Sequence, residues 1–85
     1  MKILLEISLE HYDRLLNGVS DKSPLYGVLK NGVVIHPTRT GTESTMIEIL
    51  CEKFHARMLR SLAENLSPQA VPRIEKAIRL SRIYH

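Results

Sequence analysis

The chain has one cysteine, Cys51, one phenylalanine, three tyrosines and no tryptophan in 85 residues. A lone thiol cannot close an intrachain disulfide, so stability has to come from packing and association. Together with the lack of a secretory leader, this points to a reducing, cytoplasmic compartment. So few aromatic rings argue against a stacking platform for single-stranded nucleic acid. Apolar runs such as Ile3-Leu4-Leu5 fall far short of the ~18 residues that span a bilayer, so no membrane association is expected. There is no GxxxxGK[ST] phosphate loop, no internal repeat and no low-complexity tract.

What is present is an ordinary globular composition with 25% charged residues, enough for one small domain over 1–85. A chain of this size buries only about 60% of its unfolded surface. Association of identical subunits is the cheapest way to bury more, and a homo-oligomer is expected. The net charge of +3 is unevenly placed. Residues 71–85 carry Arg73, Lys76, Arg79 and Arg82 against Glu75 alone. That basic ridge is a candidate surface for an acidic partner or a phosphate backbone.

The most strongly periodic stretch is 46–66, MIEILCEKFHARMLRSLAENL. Ile47, Leu50, Cys51, Phe54, Met58 and Leu62 share one side at 100° per residue, which predicts a single long helix with that side buried. Leu59, Ala63 and Leu66 widen the stripe. Thr45 and Glu48 have capping-box spacing, and Ser67-Pro68 marks the stop. Ile49 points to the polar side and does not fit.

In chain order, 2–7 alternates as a strand with Ile3, Leu5 and Ile7 on one face. Leu4 on the other face suggests that this side too is partly covered, by another subunit. Ser8 caps a helix to about Asn17 that buries Leu9, Tyr12, Leu15 and Leu16. Ser23-Pro24 opens a second helix, closed by Asn31-Gly32, with Leu25, Val28 and Leu29 inward. Val33-Val34-Ile35 predicts a second strand beside the first. The loop 36–45, HPTRTGTEST, holds Arg39, Thr40, Thr42, Ser44 and Thr45 ahead of the predicted long helix, a candidate anion site because a helix N-terminus attracts negative charge. A turn at 68–71 precedes a last helix near 72–82 with Val71, Ile74, Ala77, Ile78 and Ser81 on one stripe. Leu80, Ile83 and Tyr84 fall outside that stripe and are candidate partner-binding residues alongside the basic ridge. The expected architecture is α+β, order β-α-α-β-α-α, with a two-stranded ribbon against helices built on 46–66.

Few groups have the spacing that chemistry needs. Cys51 and His55 lie four apart, and Glu52 to His55 forms an ExxH, but one helix cannot complete a metal site and His11, His36 and His85 add no metal-type spacing. Cys51 sits among apolar residues, where burial makes a thiol inert. No carboxylate pair suggests acid–base work. No catalytic residue, metal or cofactor is therefore assigned.

Two resemblances bear on function. Strand 2–7, a helix opened by Ser8-Leu9-Glu10 and a second helix from Ser23-Pro24 resemble the order of ribbon–helix–helix regulators. That resemblance implies DNA binding by a dimer through Lys2, Leu4 and Glu6. KILLEISLEHY and LKNGVVIHP, within the first 37 residues, resemble small proteins encoded by phages and prophages, which implies a protein that interacts with host or defence components. The sequence thus predicts a non-enzymatic, homo-oligomeric protein that binds a macromolecule, in the manner of an inhibitor of a host or defence protein. The alternatives are a DNA-binding regulator and a phosphate or nucleotide binder using 36–45.

Overall fold

Alternation in the first residues produces β1, Lys2–Ser8, with Ile3, Leu5 and Ile7 buried and Leu4 exposed. In the computed structural model, which describes residues 1–35 and 43–83, β1 runs directly into α1, Leu9–Asn17. Ser8 is both the last strand residue and the cap, its hydroxyl accepting from the His11 N–H at 3.3 Å. Tyr12 and Leu15 are buried, with Leu9 and Leu16 packed at the core margin. Ser23 caps α2, Pro24–Lys30, where proline sits in a first turn that has no use for its missing N–H. Leu25 and Leu29 are buried. β2, Val33–Val34, follows.

The stretch 46–66 does not form one helix. Its first part is β3, Ser44–Leu50, and its second is α3, Lys53–Leu66. Thr45, Ile47, Ile49 and Cys51 are buried at a spacing of two, which accounts for the residue that the helical arrangement left over. β-branched side chains at these alternate positions favour a strand locally. The deciding term is long-range. β1 presents seven residues of backbone donors and acceptors, and β2 is too short to pair with them. β3 pairs antiparallel along all of β1, from Lys2 opposite Leu50 to Ser8 opposite Ser44. The Cys51 N–H extends the ladder to Met1 O at 2.8 Å.

β2 likewise pairs with β3, not with β1, placing Val33 opposite Glu48 and Val34 opposite Ile47. The expected two-stranded ribbon is therefore a three-stranded antiparallel sheet in the order β1-β3-β2. Phe54 and Met58, expected in the core, are 52% and 36% exposed. Because α3 begins afresh at Lys53, its inward phase is set by Ala56, Leu59 and Ala63. The helix start is not the Thr45–Glu48 box. The Glu52 N–H donates to His55 Nδ1 at 3.0 Å, one arm of a capping box in which histidine takes the usual place of glutamate or glutamine.

A short 3₁₀ turn, Pro68–Ala70, leads into α4, Val71–Ile83, where Ile74, Ala77 and Ser81 are buried as the stripe predicts. His11 Nδ1 lies 2.8 Å from Ser67 Oγ and ties α1 to the α3–α4 connection. Arg60 bridges α3 and α4 through Glu75 at 2.9 Å. Gly18 closes α1 with right-handed backbone, so the glycine is not there for a left-handed turn. It supplies room, since a Cβ would fall on Leu66 Cδ1. Among the described residues α1 and α4 pack on β1, α2 packs on β3, and α3 packs against these three helices. They close over the side of the sheet that carries Ile3, Leu5, Ile7, Ile47 and Ile49.

Candidate interaction surface

Residues opposite one another in an antiparallel ladder project to the same side. Lys2, Leu4 and Glu6 of β1 therefore share a face with Leu50, Glu48 and Met46 of β3 and with Val33 of β2. Ile35 N–H donates to Met46 O at 2.8 Å, carrying the ladder one residue further and bringing Ile35 to the same side as Val33. No helix among the described residues covers this face. Leu50 is 68% exposed, Val33 59%, Leu4 44% and Ile35 39%.

Seen as a grid, Glu48 occupies the middle. Leu4 and Val33 flank it across the strands, and Met46 and Leu50 flank it along β3. Its carboxylate lies 3.9 Å from Lys2 Nζ. Glu6, at the margin, is paired with Arg73. Arg73 belongs to α4, which packs closely against β1, and β1 is an outer strand of the sheet, so the guanidinium reaches Glu6 past the outer side of β1. Two cations and two carboxylates pair off, so the apolar residues share this face with charges that sum to zero.

The predicted partner-binding residues are dispersed. Arg73 is held by Glu6, whereas Lys76 and Arg79 are exposed with no ion-pair partner among the described residues. Leu80 is exposed on α4. Arg82 and Ile83 lie in its last turn, and their side chains, with Tyr84, fall outside the described residues. Of the candidate anion site, Arg39, Thr40 and Thr42 lie outside the described residues. Ser44 opens β3, and Thr45 is buried on its inner side. The helix N-terminus on which that site depended lies instead at Lys53.

The groups with latent chemistry are committed to structure. Burial pushes the Cys51 thiol up, the N-terminal ammonium opposing this and Glu52 reinforcing it. That ammonium donates to Cys51 O at 2.5 Å. The Ser67 hydroxyl beside His11 is fully buried and unreachable by a substrate. A polar cleft of about 210 Å³ involves Ser8, His11, Gln69 and Arg73, but the cap, Ser67 and Glu6 already engage three of them. A shallow groove of about 440 Å³ runs along α3 between Met58 and Leu62 and the facing Val19 and Leu25, with Arg57 at its side. No helix among the described residues is long and apolar enough to cross a membrane.

Sequence reasoning found Leu4 and missed Leu50, Met46 and Val33 as its neighbours. The available signal was Ile49, whose misfit as a helical residue marked the strand. Comparison of the chain with known protein families, with curated proteins and with solved structures finds no match.

Proposed function

We propose that this is a small non-enzymatic binding protein that docks a protein partner on the open face of its sheet. The supporting observation is the contiguity of Leu4, Leu50, Val33 and Ile35 on one side of three strands. At these exposures they leave on the order of 350 Å² of apolar surface, the size at which patches on small proteins are commonly functional. Burying that face is favourable at roughly 25 cal/mol per Å² before the costs of association. The resemblance of residues 1–37 to small phage-encoded proteins makes a host or defence protein the partner class to try first.

The test is capture from an extract of the native host with immobilised wild-type protein, Leu50→Asp and Lys76→Glu/Arg79→Glu. Both variants should melt like the wild type, because the altered residues are exposed. A partner retained by the ridge variant and lost by Leu50→Asp supports the sheet face. The opposite pattern overturns it.

A second reading, binding of an acidic partner or duplex DNA by α4, is favoured by the exposed cations Lys76 and Arg79. It predicts affinity for duplex DNA that falls steeply with salt, in proportion to the phosphates contacted. No retention on duplex DNA at ~50 mM salt removes the DNA form of this reading.

A further inference from the structure

We infer that the occupant of the open sheet face is a second copy of this chain, packed face to face about a two-fold axis. The axis lies between the two sheets and crosses the strands near the row Leu4–Glu48–Val33. This inference rests on the docking reading above and adds the partner and the pairing.

The register carries the argument. Three rows cross the face: Lys2 with Leu50, then Leu4 with Glu48 and Val33, then Glu6 with Met46 and Ile35, the last of which has no counterpart in the first row. Rotation about an axis along the middle row exchanges the first and third. Lys2 then meets Glu6 of the other copy, and Leu50 meets Met46. Leu4 and Val33 meet their own counterparts. An isologous contact requires this self-complementarity, with each patch answering itself. Sheets packed in this way align to within about 30°, which tilts the axis by half that angle from a right angle to the strands.

Charge points the same way. The two carboxylates on this face are already balanced by Lys2 and Arg73, so two copies approach without net repulsion. The cationic ridge of α4 would repel its own copy. Area sets the strength. Two seven-residue strands and the short β2, about 4.8 Å apart, give a footprint of under ~300 Å² a side, smaller than specific interfaces that total about 1,200 Å². The dimer is therefore weak and reversible, with Kd on the order of 100 µM.

One position opposes the pairing. Glu48 lies on the axis row and meets Glu48 of the other copy. Like charges a few ångströms apart in a partly dried contact weaken association by about tenfold. Glu48 thus separates a second copy from a partner that brings a cation to the centre of the patch, since removing its charge acts in opposite directions in the two cases.

Sedimentation equilibrium of the full chain from 1 to 300 µM, with wild type, Leu50→Asp and Glu48→Gln, tests this. The expected result is a monomer–dimer equilibrium that Leu50→Asp weakens at least thirtyfold and Glu48→Gln tightens about tenfold. A wild-type monomer at 300 µM overturns the inference, as does a dimer indifferent to Leu50→Asp. A dimer weakened by Glu48→Gln overturns the proposed register. If the wild type stays monomeric while Leu50→Asp still loses its partner in the capture experiment, the docking reading stands and only the second copy falls. Circular dichroism melts of each variant at 5 µM separate loss of contact from loss of fold.

Discussion

The two faces of this sheet are built from the same strands and similar residues, yet one is buried and the other is exposed. Ile3, Leu5, Ile7, Ile47 and Ile49 are essentially dry beneath the helices, whereas Leu4 and Leu50, one position away along the same backbones, face water together with Val33 of β2. Leu50 even follows Ile49 directly. Local propensity cannot distinguish these neighbours, because period-two alternation assigns them to opposite sides and tertiary packing decides which side is covered. The inner face supplies folding free energy, and the outer face leaves its apolar side chains exposed in the monomer.

The sharpest test of that contrast uses adjacent residues. Ile49→Ala removes fully buried methyl and methylene groups and should cost 2–5 kcal/mol in urea unfolding, by lost transfer energy plus the cavity left behind. Leu50→Ala at ~1 µM protein, below the range of the proposed dimer, should stay within about 0.5 kcal/mol of wild type. Equal losses at both positions would mean that the outer face is covered within the monomer, which would break the distinction between the two.

Alkaline pH probes the inner side through Tyr12. Its hydroxyl is buried and donates to Leu29 O, and burial, with a smaller push from Asp13, raises its pKa to about 12. The unfolded chain loses that proton near pH 10 and the folded chain only near 12. Stability is therefore whole below pH 10 and falls as pH rises toward 12, by about 2 kcal/mol. Denaturant melts at pH 9 and 11.5 should show the fall in wild type and little of it in Tyr12→Phe. An unchanged fall in the variant would assign the alkaline sensitivity to another group.

Gly32 sharpens the same region. A Cβ there would fall on the Tyr12 hydroxyl and come within 3.1 Å of Ile47 Cγ2. Tyrosine is a rigid ring whose tip is already engaged, so it cannot swing aside as Leu66 can beside Gly18. Gly32→Ala should cost 1–3 kcal/mol of thermal or urea stability through overpacking, whereas Gly18→Ala should cost less. If the two glycines behave alike, the close approach of β2 to Tyr12 is looser than described.

Much of this architecture was legible locally. Ser8 and Ser23-Pro24 announce α1 and α2, the stripe Ile74, Ala77 and Ser81 gives α4, and alternation gives β1. Each depends on neighbours within a turn or two. β3 was not legible, because Ile47, Leu50, Cys51 and Phe54 satisfy a helical period while Thr45, Ile47, Ile49 and Cys51 satisfy a strand period over the same residues. The tie is broken by pairing with β1, more than 35 positions away at its nearest register pair, Ser8 with Ser44. The candidate surface inherits this division. Leu4 was visible as an apolar residue on a second side, while Leu50 was assigned to a helix core and its role could not be seen.

The smallest expected effect tests the margin between the two faces. Arg73 reaches from α4 past the outer side of β1 to Glu6. Exposed ion pairs contribute from nothing to about 1 kcal/mol, so Arg73→Ala should barely move the urea midpoint. An edge strand with open donors and acceptors invites pairing with another chain, and a charged side chain laid along it is one way of preventing that. Arg73→Ala should therefore leave stability nearly intact and raise the rate of β-type aggregation at high concentration, followed by light scattering and thioflavin fluorescence. Arg79→Ala removes the same charge from the same helix without touching the edge, and should not raise it. Were both variants equally soluble over weeks, Arg73 would be only a surface ion pair. Were both equally prone to aggregate, net charge and not edge protection would be the cause.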